Sequence, residues 1–185
     1  MIQLKDILYK VSIEKVIGGT GVAINNLDFD SRQIQLNDVF VAIRGALSDG
    51  HEFIRQAENQ GALAIVCEEL PETQISGITY VQVEDTKMAL ALIASNFYGN
   101  PSENLKLVGV TGTNGKTTIS TLLYQLFSKA GFKVGLISTV AIKVGEKEYG
   151  TKLTTPDSIT INKYLAEMND AGVEFCFMEV SSHGI

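Results

Sequence analysis

Apolar, β-branched runs alternate along the chain with segments whose apolar residues recur at helical spacing. "VFVAI" (Val39 to Ile43), "ALAIVC" (Ala62 to Cys67) and "ITYVQV" (Ile78 to Val83) are bounded by turn residues and predict strands. "GHEFIRQAENQGA", between the first two, predicts a helix that stops at Gly61. "DTKMALALIASNFYGNP" predicts a second helix, N-capped by Asp85 or Thr86 and ended by Gly99 and Pro101. The "YGNPS" stretch is the sharpest boundary in the chain, and a new unit begins after it. "LKLVGVTG" predicts a strand, followed by a glycine-rich turn and a helix. In that helix Ile119, Leu122, Leu123, Leu126, Phe127 and Ala130 keep the i, i+3, i+4, i+7 pattern as far as Gly131. "FKVGLIST" is the next strand, and "AIKVGEKEYGTK" predicts a hairpin. "TPDSITINKYLAEMNDAG" predicts a helix with Pro156 at its start, and "VEFCFMEV" a buried strand.

This alternation predicts an α/β fold, with a largely parallel sheet in the second unit. The expected domains are residues 1–101 and 102–185, with no internal repeats. The second unit, at about 80 residues, is small for a doubly wound nucleotide-binding domain. The chain stops just past a strand whose edges need neighbours, so it reads as the front part of a longer protein.

Composition narrows the function classes. The chain is 45% hydrophobic and 19% charged, ordinary values for a globular protein. Its net charge is −6 with no basic cluster, which argues against a nucleic-acid surface. Phosphorylated small molecules remain open, because backbone dipoles bind them even on an acidic protein. Cys67 and Cys176 each lie in an apolar run, without metal-ligand spacing, and read as inert core thiols. The N-terminus lacks the apolar region of a signal peptide, and no run reaches the ~18 apolar residues of a membrane span. The expected compartment is the cytoplasm, with no membrane partner.

The strongest chemical signal is "VGVTGTNGKTTISTLL", from Val108 to Leu123. Gly112 and Gly115 let the backbone turn sharply and approach an anion. Lys116 can reach β- and γ-phosphates, and the Thr117 hydroxyl can ligate Mg²⁺. The general pattern G-x-x-x-x-G-K-[ST] is met only in part, because Val110 stands where the first glycine would be. A plain helix cap is the simpler alternative, but a cap does not need the order Gly-Lys-Thr-Thr.

Other segments are more ambiguous taken alone. Glu179 and His183, in "EVSSHGI", follow a strand at the sheet edge where α/β proteins bind ligands. They could hold a divalent cation, but on spacing alone such a pair is more often a solvated loop with a satisfied histidine. "TTPDS" can be a substrate loop, but is more often a helix cap. In "DFDSRQ", Ser31 and Arg32 can bind a phosphate or sugar, or Asp30 and Arg32 can simply pair.

Together these motifs resemble the Mur ligases of peptidoglycan synthesis, over essentially the whole chain. "DSR" at Asp30 to Arg32, "DVFVAIRG" and "DGHEFI" resemble the N-terminal UDP-binding domain of the MurE and MurF types. "TGTNGKTT" resembles the ATP loop of the superfamily, which also lacks the first glycine. "TTPD" and "MEVSSHGI" look most like the MurE type. The resemblance implies a small N-terminal α/β UDP-binding domain, followed by the first part of a P-loop, parallel-sheet ATP domain. A carbamylated lysine and the C-terminal domain would lie beyond Ile185. It also implies that Gly112, Thr113, Asn114, Gly115, Lys116, Thr117 and Thr118 bind ATP, with Lys116 catalytic. Ser31 would contact the UDP part, and Thr154, Thr155 and Ser181 the rest of the substrate. Thr117, Glu179 and His183 would serve the magnesium site.

The implied reaction is ATP-dependent amide formation on UDP-N-acetylmuramoyl-L-alanyl-D-glutamate through an acyl phosphate, with ATP and Mg²⁺ as cofactors. The third amino acid is a diamino acid, with meso-diaminopimelate preferred over L-lysine only as the commoner substrate among relatives. A monomer is expected. Three rival readings stand beside this one: a MurF-type ligase, a different P-loop enzyme, and a non-catalytic UDP-sugar- or ATP-binding fragment. A GTPase would need an N-K-x-D motif, which is missing from the sequence. A small-molecule kinase would have no use for the "DSR" pattern.

Overall fold

The computed structural model describes residues 2–45, 48–151 and 155–181. The chain divides into two compact units, Met1–Phe97 and Tyr98–Ile185.

The first unit is built on a five-stranded sheet. Its strands are β1 (Ile13–Ile17), β2 (Leu27–Asp28), β3 (Val39–Val41), β4 (Ala64–Cys67) and β5 (Thr79–Val83), in the order β1-β5-β4-β3-β2. Strands β2 to β5 run parallel, and β1 pairs antiparallel along the β5 edge. Every residue of β3 and β4 is buried, as parallel strands covered on both faces require. One face packs Phe40, Ile65 and Tyr80 against Ile54 and Ala57 of helix α2 (Ile54–Asn59). Leu4 and Ile7 of helix α1 (Leu4–Ile7) are buried, and α1 packs on helix α3 (Thr86–Phe97). Asn96 donates to the carbonyls of Ile7 and Tyr9, at 2.9 and 2.7 Å, satisfying acceptors that the short helix leaves over.

Asp85, rather than Thr86, caps α3: its carboxylate accepts from the N–H groups of Lys87 and Met88 at 2.8 and 3.0 Å. Glu58 is buried beneath the sheet, with its side chain only 1% exposed. Tyr80 donates to it at 2.6 Å and Arg55 at 2.8 Å.

The second unit also has a five-stranded sheet. Its strands are β6 (Lys106–Val110), β7 (Val134–Ile137), β8 (Ile142–Val144), β9 (Lys147–Tyr149) and β10 (Phe175–Glu179), ordered β6-β10-β7-β8-β9. Strand β10 runs parallel to both β6 and β7, while β8 and β9 form an antiparallel hairpin. Helix α4 (Lys116–Lys129) covers one face, where the Phe127 ring lies 4.8 Å from Phe175 and 5.1 Å from Phe177. Helix α5 (Ser158–Asp170) covers the other with Leu165 and Met168, against Ile137, Ile142 and Cys176. Gly135 leaves room for the end of the Met168 side chain, whose sulfur a Cβ there would meet at 2.5 Å.

The sheet of the second unit is therefore only partly parallel, because β8 pairs antiparallel with β7 and a two-residue turn returns β9 onto β8. Parallel pairing also organises the first unit. Strands β1 and β2 and helix α1 are additions to the elements read from the sequence. Each is short, and β1 is mostly exposed, so none has a strong apolar period. The helical stripe in α4 splits in the structure. Leu123 and Phe127 pack inward, while Ile119, Leu122 and Leu126 are 48%, 57% and 61% exposed.

Candidate active site

The phosphate-loop candidate spans the gap between the end of β6 and the start of α4. Gly112 and Gly115 take φ of +144° and +80°, a region that side chains with a Cβ rarely enter. Gly115 is the N-cap residue of α4, and Ile119 N–H makes the first helical bond to its carbonyl at 2.9 Å. The N–H groups of the first turn have no acceptor inside the helix, and the macrodipole adds positive potential there. Thr113, Asn114 and Thr118 are exposed around this turn. Lys116 folds back and donates through Nζ to the Gly112 carbonyl at 2.7 Å. That contact uses one ammonium proton and holds the other two at the loop.

Strand β10 brings the second component. Glu179 is its last residue, in register with Val110 at the end of β6, so it emerges beside the loop. It is only 1% exposed. Its Oε2 accepts from the hydroxyls of Thr117 and Thr139, at 3.0 and 3.1 Å, and its Oε1 from the Thr139 N–H at 3.0 Å. Among the described residues no cation pairs with this carboxylate; neutral donors alone hold it.

A third component is the pairing of Thr155 with Ser181. The Ser181 N–H donates to Thr155 Oγ1 at 3.0 Å, and the two hydroxyl oxygens are 3.2 Å apart. Thr155 Oγ1 also lies 3.3 Å from the Glu179 carbonyl. The "TTPD" and "EVSS" segments, 26 residues apart in sequence, thus meet at the sheet edge. Thr154 and His183 lie outside the described residues.

The donor set fits Mg²⁺. A threonine hydroxyl and a carboxylate side by side are hard oxygen ligands, and Mg²⁺ typically takes one or two protein oxygens plus phosphates and water. Among the described residues no group of three His, Cys, Asp or Glu side chains forms a protein-only cage.

Ser31 belongs to the first unit. It is 6% exposed, and its hydroxyl donates to Gln56 Oε1 at 3.1 Å. Asp30 and Arg32 pair with each other at 2.7 Å, and this contact holds the Asp30 carboxyl below its usual range. Further along, His51 Nδ1 lies 2.6 Å from Asp49, and its Nε2 accepts from the Glu68 N–H at 2.9 Å. That geometry fixes the proton on Nδ1. A cavity of about 640 Å³ in this unit is lined by Lys10, Arg44, Glu68, Asp85 and Met88 but not by Ser31.

Thr139 is the participant that the sequence did not reveal. It stands in no motif and reaches Glu179 only because β7 and β10 are neighbours. Among the described residues no helix is long and apolar enough to cross a membrane.

Comparison with known proteins gives these features a context. Residues 23–98 match the profile described as Mur ligase family, catalytic domain, and residues 110–185 that of the Mur ligase middle domain. The chain is 54% identical over 182 residues to UDP-N-acetylmuramoyl-L-alanyl-D-glutamate–2,6-diaminopimelate ligase of Cytophaga hutchinsonii, covering 98% of this chain and 37% of that protein. It is 50% identical over 183 residues to the ligase of the same name from Bacteroides fragilis, covering 99% and 38%. A solved structure of a ligase of that name superposes with a TM-score of 0.75 at 22% identity, over 99% of this chain and 36% of the other. The MurF ligase of Thermotoga maritima in complex with ADP gives a TM-score of 0.56 at 27% identity, over 85% and 32%. The chain spans 37–38% of the length of these curated relatives. The two profile matches, the high identities and the shared fold agree: this chain belongs to the Mur ligase family.

Proposed function

We propose that the whole protein is an ATP-dependent amide ligase that adds meso-diaminopimelate to UDP-N-acetylmuramoyl-L-alanyl-D-glutamate. One observation carries the reading: Thr117 of the phosphate loop bonds directly to buried Glu179 at 3.0 Å, so loop and strand end form one oxygen-lined site. The names of the relatives supply the substrates. In this reading residues 102–185 hold ATP, and residues 1–101, with Ser31, hold the UDP part. Thr155 and Ser181, together with Thr154, face the peptide portion. Thr117 and Glu179, with His183, would hold Mg²⁺, which screens phosphate charge when bound. The γ-phosphoryl group passes to the D-glutamate carboxylate, and the amine then displaces phosphate to form the amide. Lys116 and the loop N–H groups stabilise the charge that builds on the phosphoryl oxygens. The protein works as a cytoplasmic monomer.

The test is ADP release by the full-length protein, dependent on the UDP-muramoyl dipeptide and on diaminopimelate. Lys116→Ala should lower ligation at least ~100-fold, on the scale of removing an oxyanion donor. Near-normal turnover in that variant would overturn the assignment of the loop. A higher kcat/KM for L-lysine than for meso-diaminopimelate would overturn the choice of amino acid.

A further inference from the structure

We propose that Thr139 is a positioning residue of the nucleotide site, acting through Glu179. This rests on the reading of the loop as the ATP site and adds a residue to it.

Thr139 lies two positions past the end of β7, and its turn is built to be stiff. Ser138 is fully buried. Its N–H donates to the Ala141 carbonyl at 3.0 Å, and its Oγ also lies 3.0 Å from that oxygen. The Ala141 N–H returns to the Ser138 hydroxyl at 3.3 Å. This closed turn presents both donors of Thr139 to one carboxylate. The backbone N–H engages Oε1 and the hydroxyl engages Oε2, so the pair fixes the carboxylate plane.

Glu179 is buried, and a carboxylate there is costly unless hydrogen bonds replace its lost water. Three donors do so, and two of them come from Thr139. The third, Thr117, gives its proton to the same Oε2. With that proton committed, the lone pairs of Thr117 remain available to accept a cation. Thr139 therefore holds the Glu179 carboxylate in one orientation, and Glu179 in turn orients Thr117.

Binding of Mn²⁺ with ADP to the full-length protein, followed by electron paramagnetic resonance, tests this without turnover. Thr139→Val keeps the shape and the N–H but removes the hydroxyl, and should weaken binding about tenfold. Thr139→Ser keeps both donors and should bind like wild type. In a Glu179→Gln background, Thr139→Val should add less than about a twofold loss, because its route to the site is gone. An effect that adds fully to Glu179→Gln, or a Thr139→Val variant that binds normally, would overturn the proposal and leave the loop assignment standing. A wild-type chain that binds no Mn²⁺–ADP would remove the loop assignment and the proposal together. In proton–nitrogen spectra, Glu179→Gln should move the Thr139 amide proton upfield. An unmoved resonance would also overturn the proposal.

Discussion

Removing the hydroxyl of Tyr80 should destabilise the first unit more than any lost packing would suggest. Tyr80 is fully buried; it donates to Glu58 Oε1 at 2.6 Å and accepts from the Ile75 N–H at 2.9 Å. Burial first, and then the Glu58 contact, push its phenol up to about 12, so it stays a donor at any working pH. Tyr80→Phe takes one donor from a buried carboxylate, worth about 1.5–3 kcal/mol, and leaves a half-buried N–H without its acceptor. The Arg55 contact survives, because it uses the other carboxylate oxygen. We expect a net loss of about 2–4 kcal/mol. Hydrogen exchange at the amides of Ile65, Val66 and Val81, in the buried strands β4 and β5, reads it. The double variant Tyr80→Phe/Glu58→Leu then removes both partners and leaves Arg55, whose side chain is 56% exposed, in water. It should recover the part of the loss that comes from the carboxylate, about 1.5–3 kcal/mol, and keep the part that comes from the Ile75 N–H. If the double variant is no more stable than Tyr80→Phe alone, the cost does not come from the Glu58 carboxylate and the argument for that bond fails.

Two further outcomes can be checked on the same protein. Burial pushes the thiols of Cys67 and Cys176 up to about 12, so neither should react with a thiol reagent at pH 8 until the chain unfolds. Rapid labelling of the native chain would contradict this. Asp30 and Asp49 are held below their ordinary value of 3.8, Asp30 chiefly by the Arg32 side chain and Asp49 chiefly by the His51 N–H. Their folded values lie below the unfolded ones, so their stabilising contribution is full at neutral pH and fades as pH falls through the acid range. Acid titration of the Asp30→Asn/Asp49→Asn variant should show a shallower loss of stability between about pH 5 and pH 2 than wild type.

Much of the fold was legible because its signals are local. Alternating β-branched and helical-period runs marked β3 to β10 and α2 to α5, and the Gly-Lys-Thr-Thr order marked the phosphate loop. What the sequence hid was spatial. Periodicity does not place Glu179 against Thr117, 62 positions earlier, which only the family resemblance brought to one site, and nothing placed Thr139 against Glu179. That meeting follows from strand order, which sequence periodicity does not encode. The fate of the α4 stripe was hidden for a similar reason. Spacing shows that Leu122 and Leu123 fall within one apolar band, but only the sheet beneath decides which turns inward.

The order β6-β10-β7 sets a sequence of events for the nascent chain. β6 and β7 are synthesised first, yet they share no hydrogen bond and wait for a strand made about forty residues after β7. Only when Phe175–Glu179 leaves the ribosome can the gap between β6 and β7 be filled. Glu179 is the last residue of that strand, so the acidic half of the site arrives after everything it must bond. Such late, long-range pairing slows folding and leaves apolar edges uncovered in the interval. The loop that reads as the signature of the second unit is among the first parts of that unit to be made, and among the last to be braced.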